Sequence, residues 1–186
     1  MGGTLDLRDV PLQPAVPHPA NDDRFAEVIV GGIKTACVTR AELAQLMIED
    51  CMAARRWGGE PKLVFASNGH AITLAATDAK FRAQFGTADI VHADGQPVVI
   101  ASRLFARRAV PERSATTDFI HDAAVAAQAH GLKIFLLGAA EAVNAQCAEI
   151  LRSRYPGLKI AGRRNGYFGR DEEAALCEEI NRSGAD

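Results

Sequence analysis

The chain lacks most of the features that announce a function class. Its four cysteines, Cys37, Cys51, Cys147 and Cys177, are scattered and make no C-x-x-C pair. That spacing argues against zinc or disulfide chemistry and for buried thiols in a reducing compartment. No apolar run approaches the ~20 residues needed to span a bilayer. The first residues, Met1 to Asp6, have neither the basic and apolar regions of a signal peptide nor the Ser or Thr of a myristoylation motif. A formal net charge of −2 provides no global attraction to nucleic acid or anionic lipid, so any anion site must be local. There are no internal repeats and no G-x-G-x-x-G fingerprint, which weighs against a nucleotide-dependent oxidoreductase.

What remains is ordinary globular composition, 48% hydrophobic and 24% charged over 186 residues, enough for one domain with a sizeable core. Residues 1–23 carry Pro11, Pro14, Pro17 and Pro19 among small and acidic residues and read as a flexible leader. The folded domain is expected over 24–186. Val28 to Val38, broken by Gly31-Gly32, reads as a β-hairpin. Thr39 with Glu42 forms a capping box that opens a helix through Met52, ended by Gly58-Gly59.

Short apolar runs then alternate with helical stretches. Leu63–Ala66, Ile90–Val91, Ile134–Leu137 and Leu158–Ala161 read as strands. Helices are expected around Ile72–Leu74, after Asp78, across Pro97–Phe105, from Thr117 or Asp118, over Glu141–Tyr155 and from Asp171. This alternation predicts an α/β fold, a mostly parallel, doubly wound sheet flanked by helices and preceded by the hairpin.

Polar residues gather where such a sheet binds ligands, at strand ends that face helix starts. Asp94 follows the apolar strand directly and is succeeded by Gly95, Gln96 and Pro97. A carboxylate there can take a proton from a hydroxyl; it can equally cap the helix that begins at Gln96. Asn68, after Ser67, ends the preceding strand. A second cluster, Glu112-Arg113 with Thr117-Asp118, also stands at a helix start. Arg113 suits a diphosphate or an ion pair with Glu112 or Asp118. Gly138 opens a strand–turn–helix whose N–H groups could hold phosphate. Tyr167 and Phe168, near Asn165, can stack on a base or plug the sheet edge. Arg103, Arg107 and Arg108 read first as a solvated basic face that could also meet anionic lipid. His92 and Asp94 share one strand face, but no third ligand stands nearby, so pocket lining or packing is expected of His92 rather than metal binding.

These motifs, Asp94-Gly95, Glu112-Arg113 with Asp118, and Tyr155-Pro156-Gly157 through Gly166-Tyr167-Phe168, taken in order, make the chain from Val28 to Asp186 resemble the WecG/TagA/CpsF bacterial glycosyltransferases. The resemblance implies a Rossmann-like core. It also implies an inverting, metal-independent transfer of a sugar, such as N-acetylmannosamine or a related hexose or hexuronic acid, from a UDP-sugar to an undecaprenyl-diphosphate-linked saccharide. By position it makes Asp94 the catalytic base and Asn68 its catalytic neighbour. Ser67, Gly95, Gln96, Glu112, Arg113, Thr117, Asp118, Gly138 and Tyr167 form the expected substrate-binding set. No cofactor and no metal are expected, the UDP-sugar being a substrate, and no nucleic acid is an expected partner. The expected place is the cytoplasm, at the inner face of the plasma membrane, with peripheral lipid contact and self-association both open.

Two positions depart from the family pattern, Ala66 where a threonine is frequent and Thr116 where a glycine precedes Asp118. The family also continues beyond the position of Asp186 with a strand and a basic appendage, so the expectation is a chain that lacks them. An inactive remnant or nucleotide-binding module is the alternative function.

Overall fold

A computed structural model describes residues 22–186. Apart from Asp22 and Asp23, the Pro-rich leader lies outside the described residues. Strands β1 (Glu27–Val30) and β2 (Ile33–Ala36) form the expected antiparallel hairpin. Its turn needs glycine twice over. Gly31 and Gly32 have φ of +57° and +82°, the pair of positive values a tight hairpin turn requires. A Cβ on Gly31 would also collide with Ile72 Cγ2.

Helix α1 (Arg40–Trp57) begins with the reciprocal Thr39–Glu42 capping box and ends at Gly58. Then come β3 (Val64–Ser67), α2 (Gly69–Thr77), α3 (Ala79–Phe85), β4 (Ile90–Ala93) and α4 (Gln96–Phe105). The second half holds α5 (Thr116–His130), β5 (Lys133–Leu137), α6 (Glu141–Arg154), β6 (Lys159–Arg164), a 3-10 turn at Arg170–Glu172 and α7 (Glu173–Ser183). The architecture is the mixed α/β one expected, with β3–β4 and β5–β6 each parallel.

Hydrogen bonding among the described residues leaves three two-stranded units rather than one continuous sheet. The two parallel pairs are nonetheless covered by the same helices. Leu43 and Leu46 of α1 and Phe119 of α5 pack with Ile90 and Val64. Further along the same two helices, Ile48, Ala124 and Ala127 pack with Leu132, Ile134 and Leu136. The other face of β3–β4 lies under the hairpin, α2 and α4, through Val30, Ala93, Val98 and Val99 and through Ile33, Ala75 and Val91. Cover on both faces of β3–β4 explains the short hydrophobic runs of those two strands, whereas β5 and β6 are at most half-buried.

Three local readings change. Helix α5 starts at Thr116, not at Thr117 or Asp118, and its N-cap residue Ala115 has no side-chain group to accept a capping hydrogen bond. Strand β6 extends through Arg163 and Arg164, which pair with Leu136 and Leu137 after a register shift. The cysteines are unpaired, but Cys147 and Cys177 are exposed rather than buried, and Cys37 and Cys51 are half-buried. Burial pushes the Cys37 and Cys51 thiols up, away from reactive thiolate.

Candidate active site

The parallel register of β3 and β4 places Ser67 beside Ala93. The next residues on each strand, Asn68 and Asp94, therefore emerge side by side at the carboxyl ends. Ser67 fastens this end, its carbonyl accepting from the backbone N–H groups of Asp94 (2.8 Å) and Gly95 (3.3 Å). Gly95 permits the approach, because a Cβ there would lie 3.2 Å from Asn68 Cβ and 3.3 Å from Asn68 Cα.

Asn68 is held at both ends of its amide. Its Oδ1 accepts from Ala71 N–H at 3.0 Å, capping α2, and its Nδ2 donates to Asp94 Oδ2 at 3.4 Å. Asp94 does not cap its own helix, since α4 has no side-chain cap. Its Oδ1 accepts instead from Thr116 N–H at 3.1 Å, the first residue of α5. The half-buried carboxylate thus sits at the positive end of the α5 dipole, 22 residues away in sequence. The cap that α5 lacks locally is supplied by the candidate catalytic group.

His92 lies one strand position below on the same face, buried to 4% exposure, with its ring 6.0 Å from that of Phe119. Nδ1 has no protein partner. Burial holds its pKa below the ordinary histidine value, against a weaker upward pull from Asp94 and the Ser114 backbone. The buried ring behind the carboxylate thus has its charged form disfavoured. Ser67 Oγ, on the opposite face and fully buried, is likewise without a partner. Among the described residues no group of three His, Cys, Asp or Glu side chains is placed to hold a metal ion.

The Glu112 cluster is assembled around a residue the sequence reading did not single out. Glu112 Oε1 accepts from the backbone N–H of Arg40 at 2.7 Å, joining the cluster to the start of α1. The Arg40 guanidinium reaches Asp118 (3.8 Å) and Asp122 (3.3 Å), and Arg113 donates to Asp118 at 2.8 Å. Of the two partners weighed for Arg113, Asp118 is the one it meets. The signal for Arg40 was present but faint: a cation at a helix N-terminus opposes the dipole and needs compensating acids. Thr117 and Gln96 are exposed at the first turns of α5 and α4.

Gly138 and Tyr167 belong to a second locus, at the ends of β5 and β6. Gly138 adopts φ +138° and its N–H donates to Arg164 C=O; Gly166 N–H donates to Ala139 C=O. The amide of Asn144, a further residue not anticipated, donates to the carbonyls of Leu136, Gly138 and Arg164 and ties the two strand ends together. Tyr167 is 81% exposed, so its ring does not plug the sheet edge. Neither residue shares a hydrogen bond with Asp94 or Asn68 among the described residues.

A cavity of about 700 Å³ lies elsewhere, between the hairpin, α3 and the start of β4. None of the expected site residues lines it. Several of its charges are paired with one another, Arg24 with Asp50 at 2.9 Å and Lys62 with Asp89 at 2.8 Å, while Arg82 donates to the carbonyls of Ala75 and Ala76. The strand-end cluster, not this cavity, carries unpartnered buried groups beside an accessible carboxylate.

The described residues thus form an α/β protein with a carboxylate–amide pair at two adjacent strand ends and a helix N-terminus beside it. The family model described as glycosyl transferase WecG/TagA/CpsF matches residues 28–186, and the chain belongs to that family. Membership implies a glycosyltransferase of cell-wall polysaccharide synthesis. No helix among the described residues is long and apolar enough to cross a membrane.

Proposed function

We propose that this chain transfers a hexose-type sugar from a UDP-sugar to a lipid-diphosphate-linked saccharide, with inversion and without a metal. The observation that carries the reading is the Asp94–Asn68 pair held at the N-terminus of α5 in a chain of this family. Asp94 takes the proton of the acceptor hydroxyl as that oxygen attacks the anomeric carbon. The bond from that carbon to the UDP oxygen breaks, and UDP leaves from the opposite face. One displacement gives inversion. Oδ2 is the oxygen available for the proton, because its contact with Asn68 is long, whereas Oδ1 is engaged by Thr116. Asn68, fixed by its cap to α2, orients the reacting hydroxyl. Arg113, exposed beside Asp118, serves the diphosphate, and Ser67, Gly95, Gln96, Glu112 and Thr117 line or brace the site. Gly138 and Tyr167 serve the nucleotide. The reaction runs in the cytoplasm, at the inner face of the plasma membrane where the acceptor lies.

The test is UDP release by the chain across a panel of UDP-sugars with a lipid-diphosphate-linked N-acetylglucosamine analogue, with and without EDTA. Acceptor-dependent, EDTA-resistant release that Asp94→Asn removes supports the reading. UDP binding without release, at any donor and acceptor tried, would favour a nucleotide-binding module.

A further inference from the structure

Helix α4 leads directly away from Asp94 and presents two unlike faces. Val98, Val99 and Ser102 are buried against the hairpin and β4. On the outside, Ile100 is 48%, Leu104 68% and Phe105 86% exposed. Three exposed arginines accompany these apolar side chains at the same end of the helix: Arg103 within the last turn, and Arg107 and Arg108 in the bend that follows. From Gly95 to Pro111 the sequence holds no acidic residue. No carboxylate forms an ion pair with Arg103, Arg107 or Arg108 among the described residues; the Glu42 carboxylate feels the Arg108 charge at longer range.

The bend is held to the helix. Ser102 Oγ donates to Val99 C=O at 2.7 Å and accepts from Val110 N–H at 2.9 Å, and Arg103 donates to Pro111 C=O at 3.1 Å. Val110 is buried at 1% exposure. Leu104, Phe105 and the arginines are therefore displayed on a braced support.

We infer that this end of α4 docks on an anionic phospholipid surface, with Leu104 and Phe105 entering the headgroup–acyl boundary and Arg103, Arg107 and Arg108 meeting lipid phosphates. Charge complementarity selects the occupant. A second copy of this chain, net charge −2, offers less attraction to three guanidiniums that form no ion pair among the described residues than a continuous anionic surface does. The amphipathic arrangement, cations beside protruding aromatic and aliphatic groups, is the interfacial pattern. From Gln96 to Phe105 the helix is about 14 Å long. This surface and the candidate base thus lie about one short helix apart. The inference extends the proposed function to where the enzyme meets a lipid-borne acceptor, but lipid docking is measured separately from transfer.

The experiment is vesicle co-sedimentation of the full chain with phosphatidylcholine alone and with phosphatidylcholine containing phosphatidylglycerol. Binding is expected only to the anionic vesicles and should weaken in high salt. Each arginine removed should lower the partition coefficient about fivefold, so R107Q/R108Q should lose more than about tenfold. L104S/F105S should lose about tenfold or more at unchanged charge. All these residues are exposed, so circular dichroism and thermal midpoint should hold in both variants. Asp94→Asn should bind vesicles like the parent even if it transfers nothing, which separates this inference from the catalytic one. Equal binding to neutral vesicles, or unchanged binding in both double variants, overturns it. So does a dimer in sedimentation velocity that L104S/F105S dissociates while no vesicle binds, since the face would then be a self-association surface.

Discussion

Replacing Asp94 by asparagine separates chemistry from scaffolding more cleanly than any other single change. The amide is isosteric with the carboxylate, so packing is preserved. What changes is charge at the α5 N-terminus and the donor pattern toward Asn68. Asn68 cannot turn over to accommodate the new amide, because its Oδ1 is committed to Ala71 N–H at 3.0 Å. With the oxygen of the new side chain kept toward Thr116 N–H, its NH2 group faces the Asn68 NH2 group and the 3.4 Å contact is lost. Loss of the charge–dipole interaction and this weak contact together should cost about 1–2 kcal/mol. For a domain of this size that is a fall of about 2–8 °C in Tm. Loss of a general base should lower acceptor-dependent transfer by about 10²–10⁴. The assay is kcat/KM for UDP release beside a thermal melt and UDP binding on one preparation. Transfer retained to within about tenfold would refute the base assignment. A collapse of folding and UDP binding in step with activity would reduce Asp94 to a cap for α5.

Three other outcomes are expected. Glu112→Ala should remove the cap on Arg40 N–H and cost about 1 kcal/mol, lowering Tm by a few degrees; an unchanged melt would show that water replaces it. Arg113→Gln breaks an ion pair whose side chains are 44% and 42% exposed, so stability should change by less than about 1 kcal/mol while KM for the UDP-sugar rises; unchanged kinetics would leave Arg113 structural. His92 has a depressed folded-state pKa, so its contribution to stability is present above the ordinary value of 6.5 and is lost as pH falls through the folded value. Melts taken down the acid side should therefore show a fall that flattens in His92→Asn, and an identical pH profile in the variant would contradict the burial argument.

The local chemistry of this protein was written in its sequence. Gly31-Gly32 fixed the hairpin because few other residues take consecutive positive φ. Thr39 and Glu42 fixed the start of α1, since a capping box needs only three residues of separation. Apolar runs fixed the four parallel strands to within a few residues, and the order of the polar motifs pointed to the family that the match over 28–186 establishes. Tertiary structure decided which polar groups meet. That Asp94 caps α5 rather than α4, that Glu112 caps α1, that Arg40 sits between Asp118 and Asp122, and that Asn144 binds three carbonyls could not be read from spacing. Each is a contact between segments brought together by burying the apolar faces of different elements. Local sequence encodes backbone conformation through sterics and nearby hydrogen bonds, whereas a partner 22 or 72 residues away is selected only once the core has packed.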